Sequence, residues 1–241
     1  MIGVIFIKSK LHFKRMILVV VSLLIIISFF VISLGTIMYP TVLTSGSGEK
    51  IVLCIGDSIT YGQGVLFNRE EHTYPALLSE KLGVEYQVKN YGLCNRTMLM
   101  KSQMPYVNEK FYNKSLNEDA DIVLIMLGTN DTKSVNWNKE RFERDSKEFI
   151  LSYINMESSP KVYVMLPPKI HVSNALGNCD NEILINEIIP ILIDISKSLG
   201  VEVIDIYEVT DNHKEYFLDG LHPNYDGNIA ISNKVYEAIK E

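Results

Sequence analysis

Three short runs, Ile51–Ile55 (IVLCI), Asp121–Leu127 (DIVLIML) and Lys161–Leu166 (KVYVML), are almost unbroken in apolar residues. Strands that alternate polar and apolar residues expose one face, whereas runs such as these must be covered on both. Helical patterns separate them. One is expected at about 75–82, opened by Pro75 and stopped by Gly83, and another at 139–155, with Phe142, Phe149, Ile150, Tyr153 and Ile154 on one face. A third, 181–199, should be kinked by Pro190 and closed by Gly200, and a fourth covers 225–240. Strands are also expected at 84–90, on the edge side of the sheet, and at 201–204. Alternating β and α units with buried strands imply a three-layer α/β/α sandwich around a mostly parallel, flavodoxin-like sheet. Ligands of such sheets bind just beyond the carboxyl ends of the strands, so chemistry is expected there.

Ahead of this domain, Met16–Met38 is a 23-residue run without a charged residue. As a helix it would reach roughly 35 Å, enough to cross a ~30 Å hydrocarbon core. Lys8, Lys10, Lys14 and Arg15 precede it, and no further Lys or Arg occurs before Lys50. That asymmetry predicts a basic cytoplasmic segment (1–15), a transmembrane signal-anchor (16–39), a flexible linker rich in Ser, Gly and Thr (40–50) and an extracellular domain (51–241). The length of the apolar run favours an anchor over a cleaved signal peptide, whose apolar core is shorter. Residues 1–49 hold four of the 23 Lys/Arg and one of the 29 Asp/Glu, which leaves 19 against 28, a formal net charge of −9, for the rest. So acidic a domain is a poor partner for nucleic acid. Cys54, Cys94 and Cys179 are too few and scattered for a disulfide framework, and no Cys/His spacing fits a zinc site.

Four polar clusters follow expected strand ends. Gly56-Asp57-Ser58 offers a serine hydroxyl, a nucleophile once a base takes its proton, though the same residues also make ordinary turns. In Asn90-Tyr91-Gly92, the glycine can bring its N–H close to a bound carbonyl, or can serve a turn alone. In Gly128-Thr129-Asn130-Asp131, a side-chain amide can donate to a developing oxyanion, or can cap a helix. In Asp219-Gly220-Leu221-His222, a carboxylate three residues before an imidazole can hold Nδ1–H and leave Nε2 as a base. The sequon Asn95-Arg96-Thr97 falls beside the second cluster, a poor place for a glycan.

Taken together and in this order, the four clusters resemble the blocks of the SGNH/GDSL hydrolase family, over roughly residues 51–231. The resemblance implies a serine esterase with Ser58 as nucleophile, His222 as base and Asp219 as its orienter. It also implies an oxyanion hole from the N–H groups of Ser58 and Gly92 and the side chain of Asn130. The α/β-hydrolase pattern G-x-S-x-G is absent, because Thr60 occupies the second glycine's place. The stretches GTNDTKSVNW, Pro167-Pro168 and DGLHPN look like carbohydrate acetylesterase members, including sialate O-acetylesterase-like proteins. Asp57 and Trp137 are candidate substrate contacts; Trp137 suits either a sugar ring or the core. The expected reaction removes small acyl groups, acetyl foremost, from an extracellular glycan, and calls for no metal or organic cofactor. Longer acyl chains (a lysophospholipase or thioesterase) and a non-catalytic glycan-binding or scaffold protein are the alternatives.

Overall fold

The computed structural model describes residues 14–28, 41–172 and 178–240. The chain divides into two units, Met1–Thr41 and Val42–Glu241. In the first, residues 14–28 form a helix, α1. Among the described residues no helix is long and apolar enough to cross a membrane. The expected span 16–39 is therefore not supported; its second half, 29–39, lies outside the described residues.

The second unit is a six-stranded sheet in the order β1-β3-β2-β4-β5-β6. Its strands are β1 (Leu43–Gly46), β2 (Lys50–Gly56), β3 (Tyr86–Gly92), β4 (Ile122–Met126), β5 (Lys161–Leu166) and β6 (Glu202–Asp205). β2 to β6 are parallel, in flavodoxin order, and β1 is antiparallel to β3. Part of the expected linker is thus a strand. Leu43 to Gly46 pairs with Asn90 to Gln87, which satisfies the β3 edge and moves β3 into the interior of the sheet.

Side chains of each strand alternate between two cores. On β2, Leu53 and Ile55 face one side with Phe142, Phe149 and Ile191, while Val52 and Cys54 face the other with Leu78, Ile231 and Val235. Ten α-helices occur among the described residues. After α1 come α2 (Ser58–Tyr61), α3 (Arg69–His72), α4 (Tyr74–Leu82), α5 (Lys110–Leu116), α6 (Lys139–Ile154), α7 (Asn181–Ile183), α8 (Ile189–Leu199), α9 (Ile206–Thr210) and α10 (Tyr225–Ile239). Helices α6 and α8 cover the first face, α4 and α10 the second. The Pro190 effect is a widened π turn at Leu184–Ile188, between α7 and α8. Proline has no N–H to continue the ladder, and the wider turn accommodates the missing bond. Cys54, Cys94 and Cys179 are all buried and unpaired.

Neighbours of β2 follow it in chain order on one side as β3 and on the other as β4. The order therefore reverses at β2/β4, and in sheets of this kind ligands bind beyond the carboxyl ends of the two strands at that point. Ser58 follows β2 and Asn130 follows β4.

Candidate active site

Asp57 ends the turn after β2 and caps α2, its Oδ1 accepting from Ile59 N–H at 2.9 Å. Ser58 is thereby the first residue of α2, where its own N–H has no carbonyl one turn back to bond. The C-terminal cluster arrives between the short helix Lys214–Tyr216 and α10, which Asn224 caps through Gly227 N–H. Asp219 Oδ1 accepts from both Leu221 N–H (2.9 Å) and His222 N–H (2.7 Å), which bends the chain until the imidazole lies over the carboxylate. His222 Nδ1 is then 2.6 Å from Asp219 Oδ2, and Nε2 is 2.9 Å from Ser58 Oγ. The tautomer that satisfies both contacts carries its proton on Nδ1 and accepts the serine O–H at Nε2.

Electrostatics support that arrangement. Burial pushes the Asp219 pKa up, but the His222 N–H, the imidazole and the Leu221 N–H together outweigh it and hold the carboxyl below its usual value. His222 is 4% exposed. Water is thus largely excluded from the Ser58–His222 contact. A serine, imidazole and carboxylate in this line can pass one proton and form a covalent acyl intermediate.

On the opposite wall several expected roles change. Gly92 donates its N–H to Asn90 Oδ1 at 2.9 Å, so it is not offered to the crevice. It is a glycine for packing: a Cβ there would lie 2.1 Å from Tyr61 N and 2.6 Å from Thr60 C. Asn90 Nδ2 in turn donates to Thr60 O at 2.7 Å, so this side chain ties β3 to α2. Asn130 is buried beside the Asp57 turn. Its Nδ2 makes two long contacts, to Asp57 Oδ2 and Arg96 O, both at 3.2 Å. Asp57 is 1% exposed and spends both oxygens on the protein, so it positions α2 and Asn130 and has no oxygen left for substrate. Burial raises its pKa to about 6 against the pull of Ile59 N–H and His222. Trp137 is half-buried and packs on Phe142, ring centroids 5.7 Å apart, as part of the core.

Residues that carry this wall were not anticipated. Asn95 adopts φ +66°, the left-handed region that Asn tolerates better than most side chains, and turns the chain so that Arg96 O meets Asn130. Asn95 Oδ1 accepts from Lys133 Nζ at 3.3 Å. Buried Asp131 holds the same loop by accepting Met98 N–H (3.1 Å) and Leu99 N–H (2.8 Å). Asp145 accepts Met100 N–H (3.0 Å), and Asn136 links Gln103 N–H (3.1 Å) to Asn130 O (2.9 Å). In the sequence only Asp131 of these three lies in a cluster that points to chemistry; Asn136 and Asp145 act through distant backbone groups.

The model of the GDSL-like lipase/acylhydrolase family matches residues 54–229, which spans both the serine turn and the histidine loop. The chain belongs to this family. Two curated proteins are similar to it. An acetylxylan esterase of Xylanibacter ruminicola is 33% identical over 208 residues, 78% of this chain and 43% of that protein. A multidomain esterase of Ruminococcus flavefaciens is 33% identical over 112 residues, 44% of this chain and 14% of that protein. The chain thus spans less than half the length of these relatives. Among solved structures of the same fold are the carbohydrate acetylesterase Est24 from Sinorhizobium meliloti and the native aryl esterase of M. smegmatis. Est24 has a TM-score of 0.64 and 21% identity, covering 80% of this chain and 99% of that one. The aryl esterase has a TM-score of 0.65 and 21% identity, covering 79% and 98%.

Proposed function

We propose that this member of the GDSL-like family is a carbohydrate esterase that removes O-acetyl groups through an acyl-Ser58 intermediate. The observation that carries the reading is the unbroken chain of hydrogen bonds from Ser58 Oγ through His222 to Asp219. Ser58 Oγ attacks the acyl carbonyl and its proton passes to His222 Nε2, with Asp219 stabilising the imidazolium that forms. The tetrahedral oxyanion is met by Ser58 N–H and by Asn130, which exchanges one of its 3.2 Å contacts for it. Collapse of the intermediate breaks the ester bond, and His222 returns the proton to the departing sugar hydroxyl. Water, deprotonated by His222, then attacks the acyl-serine and releases acetate and free Ser58.

Acetyl and a carbohydrate are chosen because the 208-residue similarity is to an acetylxylan esterase. A series of p-nitrophenyl esters tests the acyl group: kcat/KM should be highest for acetyl and fall with chain length. Preference for octanoyl over acetyl would replace this reading by a lipase or thioesterase. Acetylated xylan is the first polysaccharide to assay, by release of acetate. An extracellular, membrane-tethered location is supported only by the composition of residues 8–38, and extraction from membranes by alkaline carbonate would refute it.

A further inference from the structure

Directly after α2, the chain forms a strap that runs from Gly62 through a 3-10 segment (Gln63–Asn68) into α3. The strap is fixed at its base. Arg69 Nε donates to Tyr61 O at 2.7 Å, its guanidinium lies 3.3 Å from the Tyr61 ring centroid, and Thr73 Oγ1 donates to Arg69 O at 2.9 Å. It also lies against the histidine loop: a Cβ on Gly64 would be 2.1 Å from Pro223 O and 3.0 Å from His222 O. From Gly64 to Phe67 is three residues, at most ~10 Å of chain.

Phe67 is fully exposed and Leu66 is 41% exposed. Single exposed apolar residues are ordinary; the surroundings of this one are not. A groove of about 330 Å³ runs between the strap and the start of β1, lined by Phe67, Asn68, Arg69, Glu70 and Glu71 together with Leu43 and Leu66. Leu43 pairs with Asn90, near the carboxyl end of β3, which places the groove at the rim where Ser58 lies. Across the Gly64–Pro223 contact, Tyr225 is 43% exposed and its ring sits 4.3 Å from that of His72. Tyr225 thus adds aromatic surface beside α3, the helix into which the strap leads.

We propose that Phe67, with Asn68, Glu70 and Glu71, forms a sugar subsite that holds a pyranose ring of the polysaccharide beside the ring being deacetylated. The proposal rests on the carbohydrate-esterase reading and adds where the rest of the chain binds. A pyranose presents an apolar C–H face to an aromatic ring and, around its edge, hydroxyl groups that donate to carboxylates and to an amide oxygen. The two glutamates beside Phe67 disfavour an anionic lipid surface or a phosphate-bearing chain as the occupant.

The test compares kcat/KM of the full chain on acetylated xylo-oligosaccharides with that on p-nitrophenyl acetate, which has no sugar to stack. Phe67→Ala should lower the ratio of the two roughly two- to tenfold, through KM, and Phe67→Tyr should restore it. Val84→Ala, at a 91% exposed site before the amino end of β3, serves as the control and should leave the ratio unmoved. An unchanged ratio in Phe67→Ala, or an equal loss on both substrates, overturns the subsite. A second arm does not need turnover: xylo-oligosaccharide binding to Ser58→Ala by calorimetry should weaken by the same factor when Phe67→Ala is added. If the wild type cleaves neither ester the esterase reading fails, and this binding arm still decides the subsite.

Discussion

The two walls of the crevice are in different states. On one, Ser58, His222 and Asp219 already stand in a line of 2.9 and 2.6 Å contacts, with Asp219 clamped by two backbone N–H groups. On the other, the groups that could meet an oxyanion are turned onto the protein: Gly92 N–H onto Asn90, and the Asn130 amide onto Asp57 and Arg96 O. Proton transfer needs its donor and acceptor in contact before the substrate arrives, so that wall is built from short, local contacts. Charge on an oxyanion exists only during reaction, and until then buried donors must be satisfied within the protein. The 3.2 Å contacts of Asn130 are long enough to be exchanged, whereas the 2.9 Å bond of Gly92 belongs to the packing of β3 against α2.

The comparison can be broken first on the prebuilt wall. Asp219→Asn removes the charge that holds the imidazole tautomer, and kcat should fall by about 10⁴, with the thermal unfolding midpoint nearly unchanged. A loss below tenfold would make Asp219 a turn residue. On the opposite wall, Asn130→Ala should lower kcat by about 10²–10³ with little change in KM, read from steady-state kinetics on acetyl esters. Gly92→Ala separates packing from catalysis. It should cost about 3 kcal/mol in a urea titration, while the fraction that folds keeps its kcat. A kcat loss of Asn130 size at unchanged stability would return Gly92 to the oxyanion site.

The smallest expected effect is on pH. Burial raises Asp57 to about 6 and Asp131 to about 7. Each binds its proton more tightly in the folded chain than in the unfolded one, so these two groups add stability below pH 4 that is lost as pH rises toward 7. Asp219, held low by its partners, acts in the opposite sense and loses its contribution only in acid. The stability–pH slope between pH 4 and 7 should therefore be less negative in Asp131→Asn than in the wild type. An identical slope would mean that Asp131 is ionised throughout that range.

Much of this was legible in the chain itself. Strands buried on both faces announce themselves as apolar runs, and Ser58, Asp219 and His222 lie in tight local turns whose chemistry depends on residues close in sequence. What could not be read depends on long-range partners. β1 reads as a linker because Leu43 to Gly46 is stable as a strand only against the β3 edge. Gly92 reads as an oxyanion donor until Asn90 and Tyr61 close on it. Asp131, Asn136 and Asp145 could not be recognised as loop anchors because the backbone N–H groups they hold lie 32 to 45 residues away. Trp137, seven residues after Asn130, packs on Phe142 at the edge of the core, the second of the two readings its position allowed.

The most direct measurement is covalent labelling of the full chain by a fluorophosphonate, followed by peptide mapping. A hydroxyl activated by His222 should react at Ser58 alone, and the label should disappear in Ser58→Ala and in His222→Ala. A folded chain that stays unlabelled, or one that labels equally well without His222, would contradict the account and leave a glycan-binding protein on a hydrolase fold.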